Sequence, residues 1–141
     1  MQAPHVFVPT GCYRLLCRLL AACPEHQLIL ADFDWLPPQP SGAVCAPVVQ
    51  MQRGGVSADL EGDYLLSPGE CDVMFPTHFA SLAALYAALT GRAAVPVRAA
   101  QFMARHADLA ATTAEDGYNP LVEDFANVQI LVTDWREGEE S

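Results

Sequence analysis

Leu28-Ile29-Leu30-Ala31-Asp32-Phe33-Asp34 is the stretch that decides the fold of this 141-residue chain. The run from Gln27 to Ala31 is apolar almost throughout, and it lies between a Pro24-Glu25-His26 turn and Asp32. A short apolar run bounded in this way predicts a buried parallel strand. Side chains alternate along a strand, so Asp32 and Asp34 fall on the same side at its carboxyl end. Ligands of open α/β sheets bind beyond the carboxyl ends of the strands. The two carboxylates are therefore expected to line a rim where ligands bind, close enough to raise one pKa or to share a cation. The plainer alternative, that they solvate the strand end or cap the following loop, stays open.

Toward the N-terminus, Met1 to Val8 reads as extended, with Pro4 and Pro9 as breakers. Thr10 is expected to cap a helix from about Gly11 to Cys23, because Tyr13, Leu16, Cys17 and Leu20 recur at helical spacing and Pro24 stops it. Helix, tight turn and apolar strand together make half of an α/β crossover.

Toward the C-terminus, Trp35 to Pro47 is rich in proline and reads as a long ordered loop. Val48 to Gln52 and Asp63 to Leu66 are expected to pair across Gly54-Gly55, and Asp72 to Phe75 to form a short core strand. Thr77 is expected to cap a helix whose apolar face is Phe79, Leu82, Ala83, Leu85, Tyr86 and Leu89, with Gly91 as its stop. Val95 to Arg98 reads as extended, Gln101 to Asp108 as a helix with Phe102 and Met103 inward, and Asp116-Gly117 as a turn. Asn127 to Thr133 is the last predicted strand, and residues 137–141 form an acidic tail. Helices alternating with strands predict the α/β class.

Composition narrows the function classes. The chain is 52% hydrophobic and only 17% charged, with a net charge of -10. All seven basic residues are arginine. Nucleic-acid affinity comes mostly from neutralising phosphates with basic side chains, so no nucleic-acid partner is expected. The absence of lysine excludes a Schiff-base lysine and a P-loop. No apolar run reaches the length of a membrane span. Five cysteines at irregular spacing, with no Cys-x-x-Cys pair, read as free thiols rather than as a zinc site.

Other chemistry-bearing residues are few. His78 stands at a helix start beside Thr77 and is a third candidate for the rim. His26 and His106 read as surface residues, and no histidine pair has metal-ligand spacing. Cys71 lies between Glu70 and Asp72, poor surroundings for a nucleophile. Gly54-Gly55 lacks the strand and helix that a phosphate-binding loop requires. An apolar strand ending in Asp-x-Asp also opens haloacid-dehalogenase-like phosphatases. Here Trp35-Leu36-Pro37 follows the second Asp, and no later adjacent acidic pair follows a strand.

The order of several motifs carries a resemblance. Val8-Pro9-Thr10 precedes the first helix, then come Leu28 to Asp34 and Ala46-Pro47-Val48-Val49-Gln50. Pro68-Gly69-Glu70-Cys71-Asp72 leads to Phe75 and the Thr77-His78-Phe79 helix start. Gln101-Phe102-Met103 and Gly117-Tyr118-Asn119-Pro120-Leu121, with Phe125 and the Asn127 strand, close the series. This resembles the second half of MidA-like S-adenosylmethionine-dependent methyltransferases. Eukaryotic members include the mitochondrial complex I assembly factor that methylates a protein arginine. Family members typically have Asp-Tyr-Gly where this chain has Asp32-Phe33-Asp34.

The resemblance implies that residues 1–136 are the C-terminal portion of a Rossmann-like methyltransferase domain, an incomplete sheet with flanking helices. Leu28 to Asp32 would be a central strand. S-adenosyl-L-methionine would be the cofactor, held mainly by a glycine-rich loop and a ribose-binding acid that precede this chain, so no cofactor residue carries over. The partners implied are a protein substrate with an arginine acceptor, and either the missing N-terminal half or a separate protein supplying it. A mitochondrial location is implied as well, without a targeting segment in this chain. Lacking its neighbours, the Leu28 strand is expected to keep an unpaired edge. The alternative class is a non-catalytic, partner-binding module.

Overall fold

The computed structural model describes residues 7–36, 45–53, 56–60, 69 and 71–134. Residues 1–6 of the expected N-terminal extended piece, residues 37–44 of the loop, Gly54-Gly55, the Asp63–Leu66 strand and the acidic tail lie outside them. Among the described residues the chain is α/β, with two three-stranded antiparallel sheets and five helices.

The first sheet carries the fold. It contains β1 (Ile29–Phe33), β5 (Ala94–Arg98) and β6 (Val128–Thr133), in the order β1-β6-β5. Both outer strands run antiparallel to β6. β1 and β5 thus point the same way without touching, and their carboxyl ends share one rim with the start of β6. The register pairs Asp32 with Gln129 and Gln129 with Arg98, so these three residues form one row across the sheet.

Two expectations for β1 are corrected. Its partner is antiparallel, and it stands at the sheet edge rather than in the middle. The apolar run looked central because both faces are apolar in sequence. Only one face is used. Leu28 and Leu30 pack with Leu131 and Ala94 beneath helix α1 (Thr10–Ala22) and helix α2 (Phe79–Thr90), against Leu16, Phe79, Leu82 and Tyr86. On the other face Ile29 is 65% exposed, while Ile130, Val132 and Val97 are buried on the side where helix α3 (Ala99–His106) meets β5 and β6.

The expected free edge is present. Thr133 N–H donates to Leu28 O at 3.1 Å and Asp34 N–H donates to Asn127 O at 2.9 Å. Backbone groups alternate along a strand, so those of Ile29, Ala31 and Phe33 point away from β6. Phe33 is satisfied locally: its N–H meets Asp32 Oδ1 at 2.8 Å and its carbonyl accepts from Thr77 N–H at 2.8 Å. Ile29 and Ala31 keep unpaired edges among the described residues.

α2 forms where its spacing predicted it, with Phe79, Leu82 and Tyr86 buried along one stripe. Its cap is not Thr77. His78 is the N-cap and its side chain accepts from Ser81 N–H. Gly91 ends the helix at φ +70°, a left-handed conformation that favours glycine. Similarly, Thr10 lies inside α1, and Pro9 takes the cap position without a side-chain bond. A Pro-Thr pair fixes the entry of the chain without needing the hydroxyl.

The second sheet is β2 (Val48–Arg53), β3 (Val56–Leu60) and β4 (Asp72–Met74), with β2 in the middle. The expected pairing of Val48 to Gln52 with Asp63 to Leu66 is corrected: β2 pairs with Val56–Leu60, in a register that joins Arg53 to Val56. The expected core strand at Asp72 is an outer strand here, with Val73 exposed. Its short length exposes it, whereas Val48 and Val49 in the central strand are buried. Two helical turns, α4 (Leu109–Thr112) and α5 (Pro120–Glu123), were not foreseen. They are tied together by Asn119, a buried side chain whose amide donates to Leu109 O, Thr112 Oγ1 and Thr113 Oγ1.

Candidate functional site

The shared rim of β1, β5 and β6 gathers the polar groups of this sheet. Asp32 and Asp34 lie on the same side of β1, as alternation requires, yet they have different surroundings. Asp32 is fully engaged. Its Oδ2 accepts from the Thr77 hydroxyl at 2.6 Å, and its Oδ1 accepts from Phe33 N–H. Thr77 is placed there by its own N–H on the Phe33 carbonyl. The pair Asp32–Thr77 thus binds the segment before α2 onto the end of β1.

Asp34 is only partly engaged. Its Oδ2 accepts from Arg98 Nη1 at 2.5 Å and from Gln129 Nε2 at 2.7 Å. Its Oδ1 is buried and has no partner among the described residues. The side chain as a whole is 12% exposed, while that of Arg98 is 48% exposed. Arg98 ends β5 and is the N-cap residue of α3. Gln129 sits between the two carboxylate-bearing and arginine-bearing strands. Next to them, Asn127 Nδ2 donates to Trp35 O at 3.3 Å and fixes the start of the loop.

The third candidate does not join them through any bond. His78 Nδ1 accepts from Ser81 N–H at 3.3 Å and lies 2.7 Å from Ser81 Oγ, so its ring is committed to capping α2. His26 is half-buried rather than a free surface residue. Its Nδ1–H donates to Cys23 O at 2.5 Å, which leaves Nε2 to accept from the buried Tyr86 hydroxyl at 3.2 Å. Arg92 clamps the same turn by donating to Pro24 O and His26 O.

One electrostatic effect reports on the rim from below. Burial, and next the Asp32 carboxylate, push the Cys12 thiol above its ordinary range. Both effects disfavour the thiolate, so Cys12 is a packing residue beneath the rim.

Sequence reading found the two carboxylates but not Thr77, Arg98 or Gln129 as their partners. Thr77 was assigned to capping, and its real role depends on where α2 starts relative to β1. Arg98 and Gln129 carried a signal: each is a polar residue within an apolar strand, and each lies on the same face as Asp32 once the register is known. Among the described residues no group of three or more His, Cys, Asp or Glu is placed to hold a metal ion. No helix is long and apolar enough to cross a membrane.

Nucleotide cofactors of α/β sheets need backbone N–H groups freed by glycines between a strand and a helix. β5 runs into α3 through Arg98-Ala99 with no glycine, and β1 runs into Asp34-Trp35. The described residues therefore do not fit a nucleotide cradle.

Residues 2–97 match a protein-family model described as "Putative S-adenosyl-L-methionine-dependent methyltransferase". Neither the curated proteins nor the solved structures give a match.

Proposed function

Because the chain belongs to the MidA-like family of S-adenosylmethionine-dependent methyltransferases, we propose that it forms the substrate-side part of a protein arginine methyltransferase. S-adenosyl-L-methionine is the cofactor that this family uses. In this reading another stretch of polypeptide would supply most of the residues that hold it. The transfer itself would move a methyl group from the sulfonium to a guanidinium nitrogen. This chain's part is to bind and orient the acceptor.

One observation carries the reading: a carboxylate, Asp34, stands at the carboxyl end of β1 with one buried oxygen that has no partner among the described residues. Carboxylates hold guanidinium groups through paired, charge-assisted hydrogen bonds. Asp32, with both oxygens engaged, shapes the rim through Thr77 and leaves recognition to Asp34. By the same family resemblance, we place the protein in mitochondria, in the assembly of complex I.

A second reading draws on the open edge of β1. Ile29 and Ala31 offer unpaired backbone groups, and Ile29 is exposed. Such an edge accepts another strand. A chain that only docks there would be a non-catalytic module.

The two readings separate in one experiment. The chain is mixed with mitochondrial complex I subunits and S-adenosylmethionine labelled in the methyl group, alone and together with a MidA-like N-terminal half. Label on arginine in the reconstituted mixture supports the enzyme, and Asp34→Asn should abolish it. Stable association of the two halves without any methyl transfer supports the docking module instead.

A further inference from the structure

The ion pair at Asp34 is incomplete in a specific way. A carboxylate has two oxygens able to accept several bonds. Here Oδ2 takes both donors, Arg98 Nη1 and Gln129 Nε2, while Oδ1 is buried with none among the described residues. A buried acceptor without a donor has lost its water and gained nothing in return. A bidentate arginine would remove that cost, yet Arg98 meets the carboxylate through a single nitrogen. Its backbone is fixed at the junction of β5 and α3, so it approaches from one side only.

The two donors differ in how firmly they are held. Gln129 is in the central strand of the sheet and is half-buried. The Arg98 side chain is about half in solvent. An ion pair with such an exposed partner is screened by solvent and contributes little. Arg98 is thus the donor that can leave, and Gln129 the one that stays and keeps the carboxylate oriented.

We propose that Arg98 is an internal occupant of the Asp34 site, and that a guanidinium-bearing ligand binds Asp34 by displacing it. The class of ligand follows from what the site already accepts, a guanidinium and a carboxamide N–H. An incoming guanidinium free of the strand can present its planar fork to both oxygens, which Arg98 does not. The arm keeps the rim closed to weak cations and yields to a ligand with two matched donors. This inference rests on the substrate-side reading of the rim.

The test is an NMR titration of the full chain with Nα-acetyl-arginine amide, with Nα-acetyl-lysine amide as the control. Arg98→Ala should bind the arginine probe more tightly, by up to about fivefold, since the competing pair is worth up to about 1 kcal/mol. Asp34→Asn should lose binding, and the lysine probe should bind more weakly throughout. Equal affinity in wild type and Arg98→Ala, with loss in Asp34→Asn, overturns the internal occupant and leaves the rim standing. Unchanged binding in Asp34→Asn overturns both. Should Arg98→Ala fail to fold, the Arg98 Nε–H resonance of the wild type decides: it shifts on adding the probe if the arm is displaced, and stays if it is not.

Discussion

Arg98 and Asp34 form an ion pair at 2.5 Å although their strands, β5 and β1, are not neighbours. The contact passes over β6, and Gln129 of that middle strand donates to the same carboxylate oxygen at 2.7 Å. Three strands are thereby tied at one rim by one oxygen. Because the arginine is half-exposed and the glutamine is not, the two bonds should contribute unequally. We expect Arg98→Ala to cost at most about 1 kcal/mol. Asp34→Ala, which strands the Gln129 amide and removes both bonds, should cost about 1–3 kcal/mol. Urea unfolding midpoints compare them, and equal losses would contradict this ranking.

Thr77 and Asp32 make the second polar link of the rim. The hydroxyl donates to an ionised oxygen at 2.6 Å in a half-buried setting. Thr77→Val keeps the shape and deletes the bond, so it should destabilise the fold by about 1.5–3 kcal/mol. In a double-mutant cycle with Asp32→Ala the two losses should fall short of additive. Additive losses would mean that the bond contributes nothing in solution.

Cys12 offers a reactivity test with a definite sign. Burial and the Asp32 carboxylate both raise its thiol. At neutral pH it should react with iodoacetamide more slowly than the exposed Cys23. Asp32→Asn removes one of the two causes and should speed the reaction, most visibly between pH 8 and 9, around the ordinary thiol range of about 8.5. In the folded protein the protonated form is favoured. The stability this contributes is therefore present below the unfolded thiol's range and is lost as pH rises through the raised one. Mass spectrometry of the labelled peptides separates the two sites.

Ile29 tests the open edge. It is 65% exposed, so Ile29→Lys should leave the unfolding midpoint within about 0.5 kcal/mol of wild type. A lysine on an edge strand discourages further strand pairing. Concentration-dependent light scattering should fall in this variant, and so should association with a MidA-like N-terminal half. A variant that destabilises the chain strongly would show that Ile29 is packed in solution.

The interior makes the opposite prediction. Leu131 is fully buried in the central strand, within the cluster formed by Leu16, Leu28, Phe79 and Tyr86. Leu131→Ala should cost about 2–5 kcal/mol. Tyr86→Phe keeps the ring and deletes only the bond to His26, and about 1 kcal/mol is expected. Thermal unfolding distinguishes the two.

By itself the sequence determined the α/β class, the positions of α2, β5 and β6, the strand at Val48 and the placement of Asp32 and Asp34 on one side of β1. Each is a local property. Helical spacing, apolar alternation, glycine at a turn and the period of two along a strand act within a few residues. The ordered motifs added the family, which the match over residues 2–97 shows. Only the tertiary structure decided the direction of the partner of β1, the open edge at Ile29, and which carboxylate is engaged and which is half free. Those depend on register between strands far apart in sequence, where Asp34 meets Gln129, 95 residues on, and Arg98, 64 residues on. A run such as Leu28 to Ala31 reads the same with one neighbour or two, and an aspartate reads the same whether or not Thr77 has reached it. Long-range packing sets those differences, and no pattern within the segment records them.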